Sequence, residues 1–132
     1  MEKLLTLIVP TYNMEQYLER CLTSLIIDSD QMDLMQVLVI NDGSKDRSSE
    51  IAHSFEDKYP DTYMVIDKEN GNYGSCFNCG IELAMGKYVR LLDADDWFNA
   101  EGLSDFINHL KYIDTDVVVT NYSNQYIDFF HA

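Results

Sequence analysis

The strict alternation of short apolar runs with longer helical patterns is the feature that most constrains the fold. The apolar runs are residues 4–9, 37–40, 63–66, 88–92 and 116–120. Between them, apolar residues recur at the spacing of an amphipathic helix. Strands that alternate with helices join by right-handed crossovers into a mostly parallel sheet with helices on both faces. The sequence therefore predicts one three-layer α/β/α domain.

Helix boundaries are predicted from residues that start and stop helices. The predicted helices are residues 15–27, 46–58, 76–85 and 100–110. Asp46 is predicted to cap the second helix, and Gly86 is predicted to end the third as its C-cap. A glycine-rich turn at residues 70–75 precedes the third helix.

The charge balance excludes one large class of partners. The chain of 132 residues carries 23 acidic and 9 basic residues, a formal net charge of −14. A nucleic-acid-binding protein needs a basic face to displace counterions from phosphates, so no nucleic-acid partner is expected. The same charge opposes an anionic ligand unless a metal ion or aimed backbone N–H groups offset it.

The sequence also predicts a cytoplasmic chain with free thiols. No apolar run approaches the ~18 residues of a membrane span. The run at residues 4–9 is too short for a signal peptide and is followed by Pro10. Cys21, Cys76 and Cys79 are therefore expected to be thiols, and the Cys-x-x-Cys pair is two ligands short of a zinc site.

Three polar, turn-rich clusters follow predicted strands. They are residues 10–13 after the first strand, 41–44 after the second and 93–96 after the fourth. In parallel α/β sheets, ligands bind beyond the carboxyl ends of the strands. Because all three clusters fall at that one edge, the edge is the predicted binding site.

The third cluster places Asp93, Asp95 and Asp96 within four residues, just past a buried strand. Such crowding is costly, because like charges repel and burial adds a desolvation penalty. A divalent cation that prefers hard oxygen ligands, such as Mg²⁺ or Mn²⁺, would relieve it. The alternative from spacing alone is that Asp95 or Asp96 caps the next helix, and the two roles are compatible.

The other strand-end residues carry weaker indications. Asp42 could accept hydrogen bonds from N–H donors of a ligand, although an ordinary Asp-Gly turn also explains it. The segment 70–74 precedes a helix whose free N–H groups could receive a phosphate. Tyr12 lies in a strand-end loop, where its ring could stack on a base.

Taken together and in order, these clusters resemble the family 2 glycosyltransferases. The match runs through residues 4–13, 37–46, 70–71, 78–81, 86–88 and 91–97, the last containing Asp93-Ala94-Asp95-Asp96-Trp97. Any one block is weak, but the ordered set is specific. The resemblance implies the glycosyltransferase A-type fold, a Rossmann-like sheet that ends at an Asp-x-Asp motif. It also implies inverting transfer of a sugar from a nucleoside diphosphate sugar, a UDP-sugar, to a saccharide or lipid-linked acceptor.

The resemblance also implies site residues, by position. The donor-binding set is Pro10, Thr11, Tyr12, Asn41, Asp42, Asn70, Asn78, Asp93 and Ala94, and the metal ligands are Asp95 and Asp93. The first three would line the base pocket, and Asp42 would contact the edge of the base. Asp93 would meet the ribose or the metal. Asp95 would be the main ligand that bridges Mn²⁺ or Mg²⁺ to the diphosphate.

The sequence departs from the family pattern at two positions and at its end. Asn41 stands where many relatives have an acid, and Phe77 stands where many have an arginine. Family members continue further, so residues 1–132 are expected to be the nucleotide-sugar-binding part, without the acceptor part. The general base is then expected beyond Ala132, as is any contact with the inner face of the membrane. On this expectation the chain alone binds nucleotide and metal but transfers no sugar.

Two other functions are considered for the chain, and self-association is predicted. A non-catalytic nucleotide-binding or scaffold module is the alternative, because no general base is identified. A receiver-like signalling domain is disfavoured, since residues 10–12 and 121–122 lack its acidic and basic residues. An open apolar strand edge near residues 117–119 predicts self-association through residues 120–130.

Overall fold

The computed structural model describes residues 2–113, 117–122 and 125–131 and confirms the predicted fold class. Its strands are β1 (Leu5–Thr11), β2 (Met35–Asp42), β3 (Tyr63–Lys68), β4 (Tyr88–Leu91), β5 (Val117–Tyr122) and β6 (Gln125–His131). Its helices are α1 (Leu18–Thr23), α2 (Ser29–Met32), α3 (Ser48–Lys58), α4 (Tyr73–Leu83) and α5 (Ala100–Leu110). The strands form one sheet in the order β3-β2-β1-β4-β6-β5. Strands β1 to β4 are parallel, and β6 is antiparallel to both of its neighbours.

Helices cover both faces of the sheet. Every residue of β1 and β2 is buried, as expected for strands enclosed on two sides. Successive side chains of β1 point to opposite faces. Leu7 and Val9 pack in the larger cluster with α1, α3 and α5, whereas Ile8 packs in the smaller cluster with Cys76 of α4.

Strand β1 extends two residues further than predicted, through Pro10 to Thr11. Proline has no N–H to donate, which is why Pro10 was expected to end the strand. However, β4 pairs with β1 only from Leu5 to Ile8, whereas β2 pairs through Thr11. Pro10 therefore lies beyond the part of β1 that is paired on both sides.

Both predicted boundaries of the helix after β3 are wrong. Asn72 is the N-cap of α4, because its side chain accepts a hydrogen bond from the Ser75 N–H while Ser75 reciprocates. The predicted C-cap, Gly86, lies beyond the end of the helix, which has Ala84 in extended conformation as its C-cap. Gly86 instead approaches β1, where its N–H donates to Thr6 Oγ1 at 2.9 Å and a Cβ would lie 2.6 Å from Thr6 N.

Other boundaries differ less. Helix α1 is shorter than predicted, and α2 was not predicted. Asp46 lies just before the cap position of α3, where its Oδ1 accepts a hydrogen bond from Ser48 N–H at 2.9 Å. The predicted fifth strand corresponds to β5, although Asp116 lies outside the described residues. Strand β6 was not predicted, and it lies between β4 and β5.

Cys21, Cys76 and Cys79 are free thiols, as predicted. In the part of the chain that the structure describes, no helix has the length and apolar character needed to cross a membrane.

Candidate functional site

A cleft of about 460 Å³ opens at the carboxyl-terminal edge of the parallel strands. Its lining comprises Pro10, Thr11, Tyr12, Met14, Asp42, Asn70, Gly71, Asn72, Tyr73, Cys76, Asp93, Ala94 and Asp95. These residues come from the ends of β1, β2 and β4 or the segments just after them, from the loop between β3 and α4, and from the first turns of α4. The structure thus brings residues of all three predicted clusters to one cavity.

The loops that follow β1 and β2 hold each other in place. Asn13 has a φ of 53°, a left-handed conformation that asparagine tolerates better than most residues. Its N–H donates to Ser44 Oγ at 2.9 Å, and its Oδ1 accepts from Lys45 N–H at 2.8 Å. Met14 N–H donates to Ser48 Oγ at 2.9 Å. This bracing fixes Tyr12, which is exposed at the mouth of the cleft.

Asp42 forms the most strongly hydrogen-bonded wall of the cleft and is 5% exposed. Its Oδ1 accepts from Lys68 Nζ at 2.7 Å and from Gly71 N–H at 2.8 Å. Asn70 Nδ2 donates to the Asp42 carbonyl at 2.9 Å and lies 3.5 Å from Oδ2. Burial alone would raise the pKa of Asp42, but the bonds from Lys68 and Gly71 outweigh it and hold the pKa below its ordinary value.

Gly43 allows the turn after β2 to pack against the backbone of the loop after β3. It has a φ of 72°, and a Cβ there would lie 2.8 Å from Asn70 N, so this position requires glycine. A Cβ on Gly71 would lie 2.6 Å from Ser75 Oγ and 3.1 Å from Lys68 Nζ, so a larger residue there would displace these two side chains.

The opposite wall carries the acidic cluster. Asp93, Asp95 and Asp96 are exposed, and one ligand atom from each lies within 4.8 Å of the others. Asp96 N–H donates to the Asp93 carbonyl at 2.9 Å, which folds the segment into a turn. Burial, followed by repulsion from Asp95 and Asp93, raises the pKa of Asp96. Tyr73 reaches across from α4, and its hydroxyl donates to Asp93 Oδ1 at 2.9 Å.

A cation and a thiol lie behind the acidic turn. Arg20 of α1 stacks on the exposed ring of Trp97, with the guanidinium carbon 3.9 Å from the ring centre. The same guanidinium donates to the Asp95 carbonyl at 3.3 Å. Burial and the three neighbouring carboxylates raise the pKa of Cys21 to about 12, so this thiol is an unreactive part of the core.

Two of the residues that sequence reasoning placed in the donor set do not line the cleft. Asn41 is buried, and its side chain binds Asp67 Oδ1 at 2.7 Å on the far side of the turn. Asn78 is exposed on α4 and is not part of the lining. Conversely, sequence reasoning did not single out Met14, Tyr73 or the contact between Lys68 and Asp42, because these depend on tertiary neighbours.

The fold and the site define a class: an α/β protein with a ligand cleft at its strand ends and an acidic cluster in one wall. Comparison with known families identifies the class further. The model of the family described as "Glycosyl transferase family 2" matches residues 6–131, and the chain belongs to this family of enzymes.

Individual relatives agree with the family. EpsH of Bacillus subtilis (strain 168) is 34% identical over 123 residues, which are 93% of this chain and 35% of EpsH. The chain also resembles the crystal structure of S. aureus TarS 1-349 in complex with UDP, with a TM-score of 0.74 and 29% sequence identity. The match covers 86% of this chain and 34% of the TarS chain.

A more distant structure shares the fold. The mannosyltransferase PcManGT from Pyrobaculum calidifontis, in complex with GDP-Man and Mn²⁺, has a TM-score of 0.74 at 24% identity, over 90% of this chain and 35% of that one. The chain therefore spans about a third of the length of each of these three proteins.

Proposed function

We propose that this chain is the nucleotide-sugar-binding part of an inverting glycosyltransferase that takes its sugar from a UDP-sugar. The acceptor is a saccharide or a lipid-linked molecule, and a divalent cation, Mn²⁺ or Mg²⁺, assists the transfer. The observation that carries the proposal is the pairing of two unlike walls in one cleft. One wall presents a buried, hydrogen-bonded carboxylate, and the other presents Asp93 and Asp95, two members of an exposed cluster of three carboxylates.

The first wall has the chemistry to recognise a base. Each carboxylate oxygen offers about two acceptor positions. Both positions of Asp42 Oδ1 are taken by Lys68 and Gly71, whereas Oδ2 lies 3.5 Å from Asn70 Nδ2. The Cys76 thiol also interacts with this carboxylate, as a weaker donor than an ammonium or an amide. Oδ2 can therefore accept a hydrogen bond from a ring N–H such as that of uracil. Support comes from TarS, whose structures were solved with UDP and with UDP-GlcNAc at 29% and 30% identity.

The second wall has donor groups that suit a hard divalent cation. The cluster consists entirely of carboxylates, and its ligand atoms are close enough to share one ion. Asp95 and Asp93 both line the cleft, so we assign them as the ligands. When bound there, the cation would offset the charge of the diphosphate and act as a Lewis acid for its departure. Arg20 fixes the backbone of Asp95 from behind, which limits the movement of the turn.

The metal assignment is tested by removing one carboxylate. We expect Asp95→Ala to abolish Mn²⁺-dependent UDP binding while the fold persists, because Asp95 is exposed and lies past the end of β4. Isothermal titration calorimetry with UDP, with and without Mn²⁺, measures the effect, and circular dichroism checks the fold. Asp105→Ala removes an equivalent exposed charge on α5 and should leave binding unchanged. Undiminished Mn²⁺-dependent affinity in Asp95→Ala would refute the assignment.

The proposal extends to the catalytic competence of the chain. Binding of the donor uses strand ends that all lie within the described residues, whereas no general base for an acceptor hydroxyl has been assigned among them. We therefore expect the chain to bind UDP but to release no UDP from UDP-sugars in the presence of saccharide acceptors. Acceptor-dependent release by this chain alone would contradict the expectation and would place a base among these 132 residues.

Self-association through residues 120–130 remains part of the proposal. It is supported by the position of β5 at one edge of the described sheet, next to β6. An edge strand can pair with a second chain. Light scattering over a range of concentrations should show a mass above that of the monomer, and a strictly monomeric state at high concentration would exclude this interface.

A further inference from the structure

We propose that Lys68 is a positioning residue for base recognition: by holding Oδ1 of Asp42, it fixes the carboxylate so that Oδ2 is presented to a ring N–H of the base. The inference rests on the proposed function and deepens it. It predicts a class of base for the donor, namely one with an imino N–H, as in uracil, thymine and guanine. Cytosine and adenine carry an acceptor nitrogen at the corresponding position and would face the carboxylate with a lone pair.

The ammonium group of Lys68 donates three hydrogen bonds. Its Nζ donates to Asp42 Oδ1 at 2.7 Å, to the Glu69 carbonyl at 2.8 Å and to Ser75 Oγ at 3.1 Å. An ammonium group has three hydrogens to donate, and these three contacts account for all of them. Lys68 therefore connects the end of β2, the end of β3 and the first turn of α4.

Lys68 itself is not part of the cleft lining, whereas its partner Asp42 is. Of the three groups that the ammonium binds, which belong to Asp42, Glu69 and Ser75, Asp42 is the one whose residue lines the cleft. The ammonium can therefore act on the ligand only through Asp42. This arrangement makes Lys68 a positioning residue and separates it from the groups that touch the nucleotide.

Lys68 also helps to keep the carboxylate of Asp42 deprotonated. The titratable groups that act on Asp42 are Lys68 from β3 and the Cys76 thiol from α4, while Asp93 and Asp95 face the same cleft from the β4 side. Burial pushes the pKa of Asp42 upward, and the contacts with Lys68 and Gly71 push it downward by more. Without the ammonium, burial would be opposed only by the weaker contacts, so protonation would begin at a higher pH. A protonated carboxyl is a poorer acceptor for a ring N–H.

The experiment measures the affinity of the 132-residue chain for uridine as a function of pH, by calorimetry or NMR titration. Uridine is uncharged, so its binding reports the base wall without the metal. In Lys68→Met, which keeps an apolar stem but removes the ammonium, we expect uridine affinity to fall about tenfold. We also expect the pH at which affinity is half lost to move upward. Mn²⁺ binding to the acidic cluster should not change.

Variants and ligands separate positioning from a merely structural role. Lys68→Gln keeps a hydrogen-bond donor without the charge, so it should fold like the wild type yet show the same upward pH shift. Lys68→Arg should restore most of the affinity and the original pH profile. Lys58→Met, which removes an exposed lysine charge at the end of α3, is the matched control and should change neither quantity. Cytidine should bind the wild type more weakly than uridine.

The outcomes distinguish this inference from the proposed function. If the wild type binds neither uridine nor UDP with Mn²⁺, the proposed function fails and this inference fails with it. If the wild type binds uridine and Lys68→Gln shows the wild-type affinity and pH profile, the inference alone is wrong. Equal affinity of the wild type for cytidine and uridine would also overturn it.

Discussion

At the scale of single residues, Asp42 has the clearest consequence for ligand binding. If Asp42 contacts the base as proposed, replacing it with Ala should weaken uridine and UDP binding alike, by roughly 1–3 kcal/mol, because a ligand N–H loses its partner. The Mn²⁺ requirement should not change, since the acidic cluster lies in the opposite wall. Calorimetry with both ligands measures this. Asp57→Ala, on the exposed side of α3, is the control, and unaltered uridine binding in Asp42→Ala would place the base elsewhere.

The residues in and behind the walls of the cleft divide into those that the sequence revealed and those that it could not. Asp42, Asp93 and Asp95 were predicted because each lies within three residues of the end of an apolar run, and a strand end has a known place in a parallel sheet. Lys68 and Tyr73 were not, because their partners lie 26 and 20 residues away in the chain. Which long side chain reaches which carboxylate is decided by packing, and no local pattern encodes it.

At the scale of elements, the contact between α4 and β1 depends on Gly80. A Cβ at this position would lie 2.7 Å from two side-chain carbons of Ile8, which is fully buried. We expect Gly80→Ala to destabilise the protein by about 1–2 kcal/mol, since overpacking outweighs the gain in helix propensity. Gly74→Ala, in the first turn of the same helix, would bring its Cβ no nearer than 3.4 Å to Asn72 Oδ1 and should not destabilise. Urea unfolding of both variants provides the measurement, and equal stabilities would contradict this account of the packing.

A second element-scale contact makes stability depend on pH. His53 of α3 binds Asp67 Oδ2 at 2.7 Å and Glu56 Oε1 at 3.0 Å, so both ring nitrogens face carboxylates. The hydrogen bond that the ring donates to Asp67, opposed by slight burial and helped by Glu56, raises the pKa of His53. A raised folded-state pKa contributes stability that is present in full below the ordinary value of about 6.5 and is lost as the pH rises through the folded-state value.

The expected result is therefore a pH-dependent effect of His53→Gln. Unfolding in urea should show a larger loss of stability at about pH 5.5 than at about pH 8.5. The difference should stay below about 1 kcal/mol, because the pair is partly exposed to solvent. His109→Gln, at an exposed position on α5, serves as the reference. A loss that is equal at the two pH values would mean that the pKa of His53 is the same in the folded and the unfolded protein.

The elements also show where sequence patterns mislead. Residues 70–75 read as a turn because they are rich in glycine and asparagine, yet Asn72 and Ser75 form a reciprocal cap and the helix begins at Tyr73. Gly86 was predicted to end a helix, but it lies against Thr6, where its small size allows close contact. The apolar runs predicted strands β1 to β5 but not β6, whose place between β4 and β5 is a matter of tertiary pairing.

At the scale of the whole molecule, the net charge of −14 acts on the anionic donor of the proposed function. Without a metal ion, the protein and UDP repel each other over a distance set by the Debye length, which is about 30 Å at 0.01 M salt and about 8 Å at 0.15 M. Added salt therefore screens a repulsion here, whereas at a basic nucleotide site it screens an attraction. We expect metal-free UDP affinity to rise by roughly threefold or more between about 20 and about 200 mM NaCl.

NMR titration at the two salt concentrations tests this prediction, and uridine is the control because it carries no charge and should bind equally at both.

Mn²⁺ adds a second dependence on salt concentration, which has the opposite sign. The acidic cluster of Asp93, Asp95 and Asp96 attracts the cation more strongly at low salt, so the gain in UDP affinity on adding Mn²⁺ should be larger at the lower concentration. Metal-free UDP affinity that falls as salt is added would mean that local positive potential in the cleft outweighs the charge of the whole molecule. The metal would then not be needed to offset the charge of the diphosphate.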